Sequence, residues 1–140
     1  MTDQTQNFSG LNILHTMLRV RDLDKTLDFY TRVLGMRLLR RIDFEEARFT
    51  LAFVGYQDFE RGNHIEFTHN WDHAEPYELG DAFGHLALAV PDVYGFCEWL
   101  ASQDVDITRP PGPMKHGGPV MAFIRDPDGY AIELVQLDTE

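Results

Sequence analysis

The amino-acid sequence predicts an α+β fold made of two paired βαβββ modules. Three observations carry this: an internal repeat, the same order of local patterns in both copies, and cap or turn residues at the joints. His15-Thr-Met-Leu-Arg-Val20-Arg-Asp22 lines up with His85-Leu-Ala-Leu-Ala-Val90-Pro-Asp92, so His, Val and Asp recur 70 positions apart. Ala52-Phe53-Val54 matches Ala122-Phe123-Ile124 at the same spacing, and Ile65-Glu66-Phe67 matches Ile132-Glu133-Leu134 at a spacing of 67. A turn three residues shorter in the second copy accounts for the change. Three matches in order and nearly in register indicate duplication. The reading is one domain over residues 1–140, with module one at 11–70 and module two at 83–138.

Each copy opens with an alternating strand, Ile13 to Val20 and His85 to Val90. Asp22 or Asp24 in the first copy and Asp92 in the second are N-cap residues for helices over Leu23 to Val33 and Val93 to Ser102. Gly35 suits the C-terminal end of the first helix. Further strands are expected at Met36 to Ile42, Phe49 to Val54 and His64 to Asn70, then at Asp106 to Thr108, Val120 to Ile124 and Tyr130 to Leu137. Asp126-Pro127-Asp128-Gly129 reads as a tight turn between the last two strands.

Each copy carries one His on its first strand and one Glu on its last: His15 with Glu66, and His85 with Glu133. Strand alternation places His15 on a face with Ile13, Met17 and Arg19, and Glu66 with His64, Thr68 and Asn70. His85 lies with Phe83, Ala87 and Ala89, and Glu133 with Ala131, Val135 and Leu137. A carboxylate among apolar neighbours is costly to bury unless a cation compensates it. Taken singly, each of the four is an ordinary core histidine or a solvated carboxylate. Related by the repeat, they suit one metal site with two nitrogen and two oxygen donors, open to water and fit for nickel, cobalt or zinc. The other histidines, His64, His69, His73 and His116, have no counterparts and read as surface or loop residues, with His69 and His116 bordering a pocket.

The chain has 140 residues, 44% hydrophobic, and a net charge of −11, enough for a core and unsuited to nucleic acid. The only basic run is Arg40-Arg41. No apolar run reaches membrane-spanning length. The polar N-terminus lacks the pattern of a signal peptide, so a cytoplasmic location is expected. The first ten residues read as an arm with no further role. One cysteine, Cys97, excludes an internal disulfide and reads as a buried thiol.

Ordered segments along nearly the whole chain make the resemblance specific. They are Leu14-His-Thr-Met-Leu-Arg-Val20, Leu27-Asp-Phe-Tyr-Thr31 with Val33-Leu-Gly-Met36, and Leu51-Ala-Phe-Val-Gly-Tyr56. Asn70-Trp71, Tyr77-Glu-Leu-Gly80 and Gly84-His85 follow, then Asp126-Pro-Asp-Gly-Tyr130 with Ile132-Glu-Leu134. The chain resembles the short bacterial form of the glyoxalase I family, the lactoylglutathione lyases of the vicinal-oxygen-chelate superfamily. The resemblance implies a homodimer with shared active sites. His15 and Glu66 of one subunit and His85 and Glu133 of the other would hold one divalent metal. Short forms are typically activated by nickel or cobalt and longer forms with insertions are typically zinc enzymes, so nickel is expected here, with cobalt or zinc as alternatives. It also implies glutathione as co-substrate, and isomerisation of its methylglyoxal hemithioacetal to S-lactoylglutathione through an enediolate. Glu133 is the implied principal base, with Glu66 serving the other epimer.

Arg19 and Asn70 match the residues that grip glutathione, and each lies about 13 Å along its strand from its partner ligand. Lys115 resembles the lysine of the glycine-rich loop, although His116 stands between it and Gly117-Gly118. Asp81 stands where some members carry a basic residue. The rival readings are a superfamily dioxygenase or thiol transferase, whose sites lack the carboxylate at Glu66, and a metal-free drug-binding dimer, whose ligand positions are replaced.

Overall fold

The computed structural model describes residues 8–137. The expected N-terminal arm therefore lies mostly outside the described residues, as does the last residue assigned to module two. The first half folds as β1 (His15–Arg19), α1 (Leu23–Asp28), β2 (Arg37–Phe44), β3 (Phe49–Gly55) and β4 (His64–Asn70). The second folds as β5 (Leu86–Val90), α2 (Val93–Ser102), β6 (Asp106–Pro113), β7 (Val120–Arg125) and β8 (Ala131–Gln136). Each half is a βαβββ unit forming a four-stranded sheet, ordered β1-β4-β3-β2 and β5-β8-β7-β6. The first and last strand of each unit pair in parallel; the other neighbours are antiparallel.

The caps sit where the sequence places them. The Asp22 carboxylate accepts from the Lys25 amide at 3.2 Å, and the Asp92 carboxylate from the Gly95 amide at 3.1 Å. Each thereby satisfies a donor that the first helical turn leaves free. The first helix continues to Val33 as expected, but from Phe29 it widens to a π turn, with the Leu34 amide donating to the Phe29 carbonyl at 2.9 Å. Gly35, at φ +81°, ends it in the left-handed region that glycine enters without strain.

Two strands run two or more residues past their expected ends. β2 runs on to Phe44, which pairs with Phe49. β6 continues through Pro110 and Pro111 to Pro113, past the expected end at Thr108. It is an edge strand, where a missing N–H costs no ladder bond, and register shifts after Ile107 and Arg109 absorb the prolines.

One hydrophobic core serves both halves. Leu18, Val20, Tyr30, Ala52, Val54 and Phe67 from the first join Val93, Leu100, Ala122, Ile124, Ile132 and Leu134 from the second. Cys97 is buried there, as expected, and burial raises its thiol pKa. The residues alternating with these lie on the opposite, open face of each sheet.

The Asp126–Gly129 turn joins the halves. Its Asp126 carboxylate is buried and accepts the Tyr30 hydroxyl at 2.8 Å and the amides of Asp128 and Tyr130, each at 2.9 Å. Asp128 accepts from the Arg21 amide at 3.1 Å, and the Tyr130 hydroxyl donates to the Arg19 carbonyl at 2.8 Å. Burial, with Asp126 alongside, pushes the Tyr30 phenol well above its ordinary value, so it remains a donor across the working pH range. Tyr30→Phe leaves a buried carboxylate oxygen without its donor. The variant is expected to lose about 1.5–3 kcal/mol of stability, read as a lower urea midpoint at an unchanged slope.

Candidate metal centre

The pairing of first and last strands builds two like half-sites. In module one, β1 and β4 are registered with His15 opposite His64 and Met17 opposite Glu66. Side chains of one face recur every second residue, so Glu66 is the diagonal neighbour of His15 on the open face. His15 Nε2 lies 3.3 Å from Glu66 Oε1. In module two, Ala87 stands opposite Glu133, and His85, one residue before β5 begins, sends Nε2 to within 3.3 Å of Glu133 Oε1. An edge-on phenylalanine walls each imidazole: Phe53 at 5.7 Å between ring centroids for His15, and Phe123 at 5.2 Å for His85.

The donor spacing fits a metal. Two donors about 2.1 Å from one ion and at right angles stand about 3 Å apart. Each half-site offers one borderline nitrogen and one hard oxygen at close to that separation. Among the described residues of one chain, no three His, Cys, Asp or Glu groups gather closely enough to hold an ion. The four sequence-selected donors thus form two separate pairs, and one chain alone does not assemble them.

The other selected residues fall around these pairs. Arg19 is exposed at the far end of β1, its carbonyl held by Tyr130. Asn70 ends β4, half-buried, and donates through Nδ2 to the Tyr77 hydroxyl at 3.2 Å. Tyr77 stacks on His73 at 4.0 Å, so the Tyr77-Glu-Leu-Gly80 segment braces Asn70, a role its sequence does not announce. Lys115 is exposed in the loop between β6 and β7. The loop accommodates the extra His116: the Gly117 amide closes onto the Met114 carbonyl at 3.1 Å, and Gly117 and Gly118 take φ +85° and +119°.

His64 corrects an expectation. It is no surface or loop residue: it lies within β4 at 2% exposure, beneath His15. Gly55 makes the room, since a Cβ there would meet the His64 Cβ at 3.1 Å. His69 borders a surface pocket with Arg21, Asp22 and Arg41, as expected, and His116 is exposed.

Arg109 is a residue that sequence reasoning missed. Its Nη1 donates to the carbonyls of Pro110, Gly112 and Met121 at 3.1, 3.0 and 2.9 Å, and Nη2 to that of Pro113 at 3.0 Å. The fork thus holds the bulged end of β6, from which the Lys115 loop springs. An arginine beside two prolines and a glycine, where few backbone partners are regular, is the signal that could have found it.

Residues 12–134 match the Glyoxalase/Bleomycin resistance protein/Dioxygenase superfamily, and the chain belongs to that family. Lactoylglutathione lyase of Neisseria meningitidis is 56% identical over 126 residues, covering 90% of this chain and 91% of that one. The Escherichia coli O157:H7 lactoylglutathione lyase is 48% identical over 126 residues, covering 90% and 93%. Among solved structures, glyoxalase I of Zea mays superposes with a TM-score of 0.87 at 42% identity, over 91% of this chain and 45% of that one. This chain therefore spans about half the maize protein. The trypanothione-dependent glyoxalase I of Leishmania major superposes at 0.80 with 39% identity, over 91% and 87%.

The Arg109 fork generates a test. Lysine is a point donor and cannot reach four carbonyls at once. Arg109→Lys is expected to speed amide exchange over residues 112–118 by about 10–100-fold, with the melting temperature little changed. Exchange read by mass spectrometry checks this.

Proposed function

We propose that the chain is a lactoylglutathione lyase, isomerising the hemithioacetal of methylglyoxal and glutathione to S-lactoylglutathione. The observation that carries this reading is the pair of matched imidazole–carboxylate half-sites, in a chain about half identical over nine-tenths of its length to lactoylglutathione lyases. Glu66 counts against dioxygenase and thiol-transferase readings, because it gives the first half-site its own carboxylate.

His15, Glu66, His85 and Glu133 are the residues that would hold a divalent metal, nickel by preference with cobalt or zinc as alternatives. A metal held there would supply Lewis acidity toward the oxygens of the adduct. Glu133 removes the proton from the carbon bearing sulfur and hydroxyl, and returns it to the neighbouring carbon. The hydroxyl proton passes to the second oxygen, so the reaction is a balanced isomerisation that leaves a thioester beside a secondary alcohol. Glu66 does the same for the other epimer. Arg19 and Asn70 hold the glutathione portion, and Lys115 pairs with one of its carboxylates. Repeated modules at 11–70 and 83–138 provide the two halves of each site.

The half-sites of one chain stay apart, so we infer a homodimer in which each site takes His15 and Glu66 from one subunit and His85 and Glu133 from the other. Apolar side chains exposed on the open faces support this: Met17, Ile42 and Phe44 on the first sheet, and Phe83 and Leu137 beside the second. A cytoplasmic location suits the substrate. Among the described residues, no helix is long and apolar enough to cross a membrane.

Two experiments test these assignments. Protein stripped of metal and reloaded with nickel, cobalt or zinc is expected to form thioester, read by absorbance at about 240 nm, only when reloaded. Glu133→Gln is expected to keep bound metal while losing at least about 100-fold in kcat; unchanged turnover at verified metal content would reject Glu133 as the base. For site sharing, His15→Ala and His85→Ala proteins are each inactive alone. Unfolded and refolded together, they are expected to regain roughly a quarter of wild-type activity, because half the dimers are mixed and each mixed dimer has one intact site. No recovery would place both halves of a site in one subunit.

A further inference from the structure

The two half-sites are alike except beneath the histidine. His15 stands over His64, with ring centroids 5.7 Å apart and planes 24° apart. In module two, continuing the β5–β8 register puts Ala131 opposite His85. The space is exchanged across each sheet: His64 lies beside Gly55 in module one, whereas Ala131 pairs with Arg125 in module two. Only module one puts a second imidazole beside its first-strand histidine.

Those two rings carry complementary vacancies. His64 Nε2 lies 3.1 Å from the Phe59 carbonyl, which can only accept, so Nε2 carries the proton. In the neutral ring Nδ1 is then a bare acceptor. That Nδ1 is buried with no partner, and so is Nδ1 of His15. When Nε2 binds a metal the His15 proton sits on Nδ1, and that buried donor then needs an acceptor. His85 has no such need: its side chain is 41% exposed, against 30% for His15. A further stack keeps His64 in place, with Phe59 parallel to it at 4.4 Å and the Arg40 guanidinium 3.7 Å over Phe59.

We propose that His64 is a positioning residue for His15, its Nδ1 accepting from the Nδ1–H of the metal-bound His15 through one buried water, and so fixing the tautomer and ring direction of that ligand. This rests on the reading of His15 as a metal ligand. A histidine ligand whose second nitrogen is fixed binds metal about 10–100-fold more tightly than one whose second nitrogen is free.

The test uses the full-length protein and cobalt(II), with affinity measured by competition against a chelating dye and geometry by the visible absorption of the bound ion. His64→Phe keeps an aromatic ring between Phe59 and His15 but offers no acceptor. It is expected to bind cobalt about 10–100-fold more weakly, with shifted visible bands, while the metal-free melting temperature stays near wild type. His64→Asn can place a carbonyl oxygen where Nδ1 stands, and is expected to recover affinity to within about threefold of wild type. Long-range nitrogen–proton NMR on the wild type loaded with diamagnetic zinc needs no variant to fold, and is expected to show His64 protonated on Nε2 and His15 on Nδ1. Wild-type protein that takes up no cobalt overturns the metal reading and this role with it. Wild-type uptake matched by His64→Phe in affinity and spectrum overturns the role of His64 alone, as does a His64 protonated on Nδ1.

Discussion

Parallel pairing of the first strand with the last is the constraint on which the rest of each module depends. An antiparallel meander could reach β4 from β3, but only the crossover through α1 returns the chain so that β1 lies parallel to β4. In that register the His15 and Glu66 side chains share a face one diagonal step apart. The same geometry, repeated by β5 and β8, sets His85 against Glu133 at the same 3.3 Å. A slip of one residue in either ladder would turn one donor into the core and one core residue outward. Hydrophobic burial of Leu18, Val20, Ile65 and Phe67 on the other face therefore fixes the donor geometry, although none of these residues touches the site.

The contacts between modules decide what one chain can and cannot do. Tyr30, Arg21 and the Arg19 carbonyl all bond to the Asp126–Tyr130 segment, and the Trp99 indole donates to the Val33 carbonyl at 2.8 Å. These bonds join the helix-covered sides into one core and leave the open faces, with their donors, outward. The buried contacts that hold the chain together are thus separate from the His and Glu pairs on the open faces. The same Asp126–Tyr130 segment also holds the backbone of Arg19, so the joint between modules and the edge of the proposed glutathione site are one structure.

Duplication gave two scaffolds, and small substitutions made them unequal. Gly55 with His64 in one module answers Arg125 with Ala131 in the other, a trade of volume between neighbouring strands that leaves the sheet spacing intact. The glycine-rich loop with Lys115 belongs to module two only, where the β6 edge is bulged and gripped by Arg109. One module carries His64 beneath His15 and the Asn70–Tyr77 contact, and the other carries Glu133 and the loop with Lys115.

The sequence by itself determined the repeat, the order of strands and helices, the capping aspartates and the four His and Glu positions, because these depend on local periodicity and on spacing copied intact by duplication. Alternation even named the correct face-mates, since a strand's side chains can point only two ways. The tertiary structure alone decided the rest. His64 looked like a stray polar residue until the register put it under His15 and Gly55 opened the space for it. The strand expected to end at Thr108 runs on through Pro110 and Pro111 because β6 lies at a sheet edge. Arg109 and Tyr77 acquired their roles from carbonyls and an amide brought to them by folding. That the four donors stay in two pairs within one chain could not be read from spacing, because it depends on how two helix-covered sheets pack, a matter of contacts far apart in sequence.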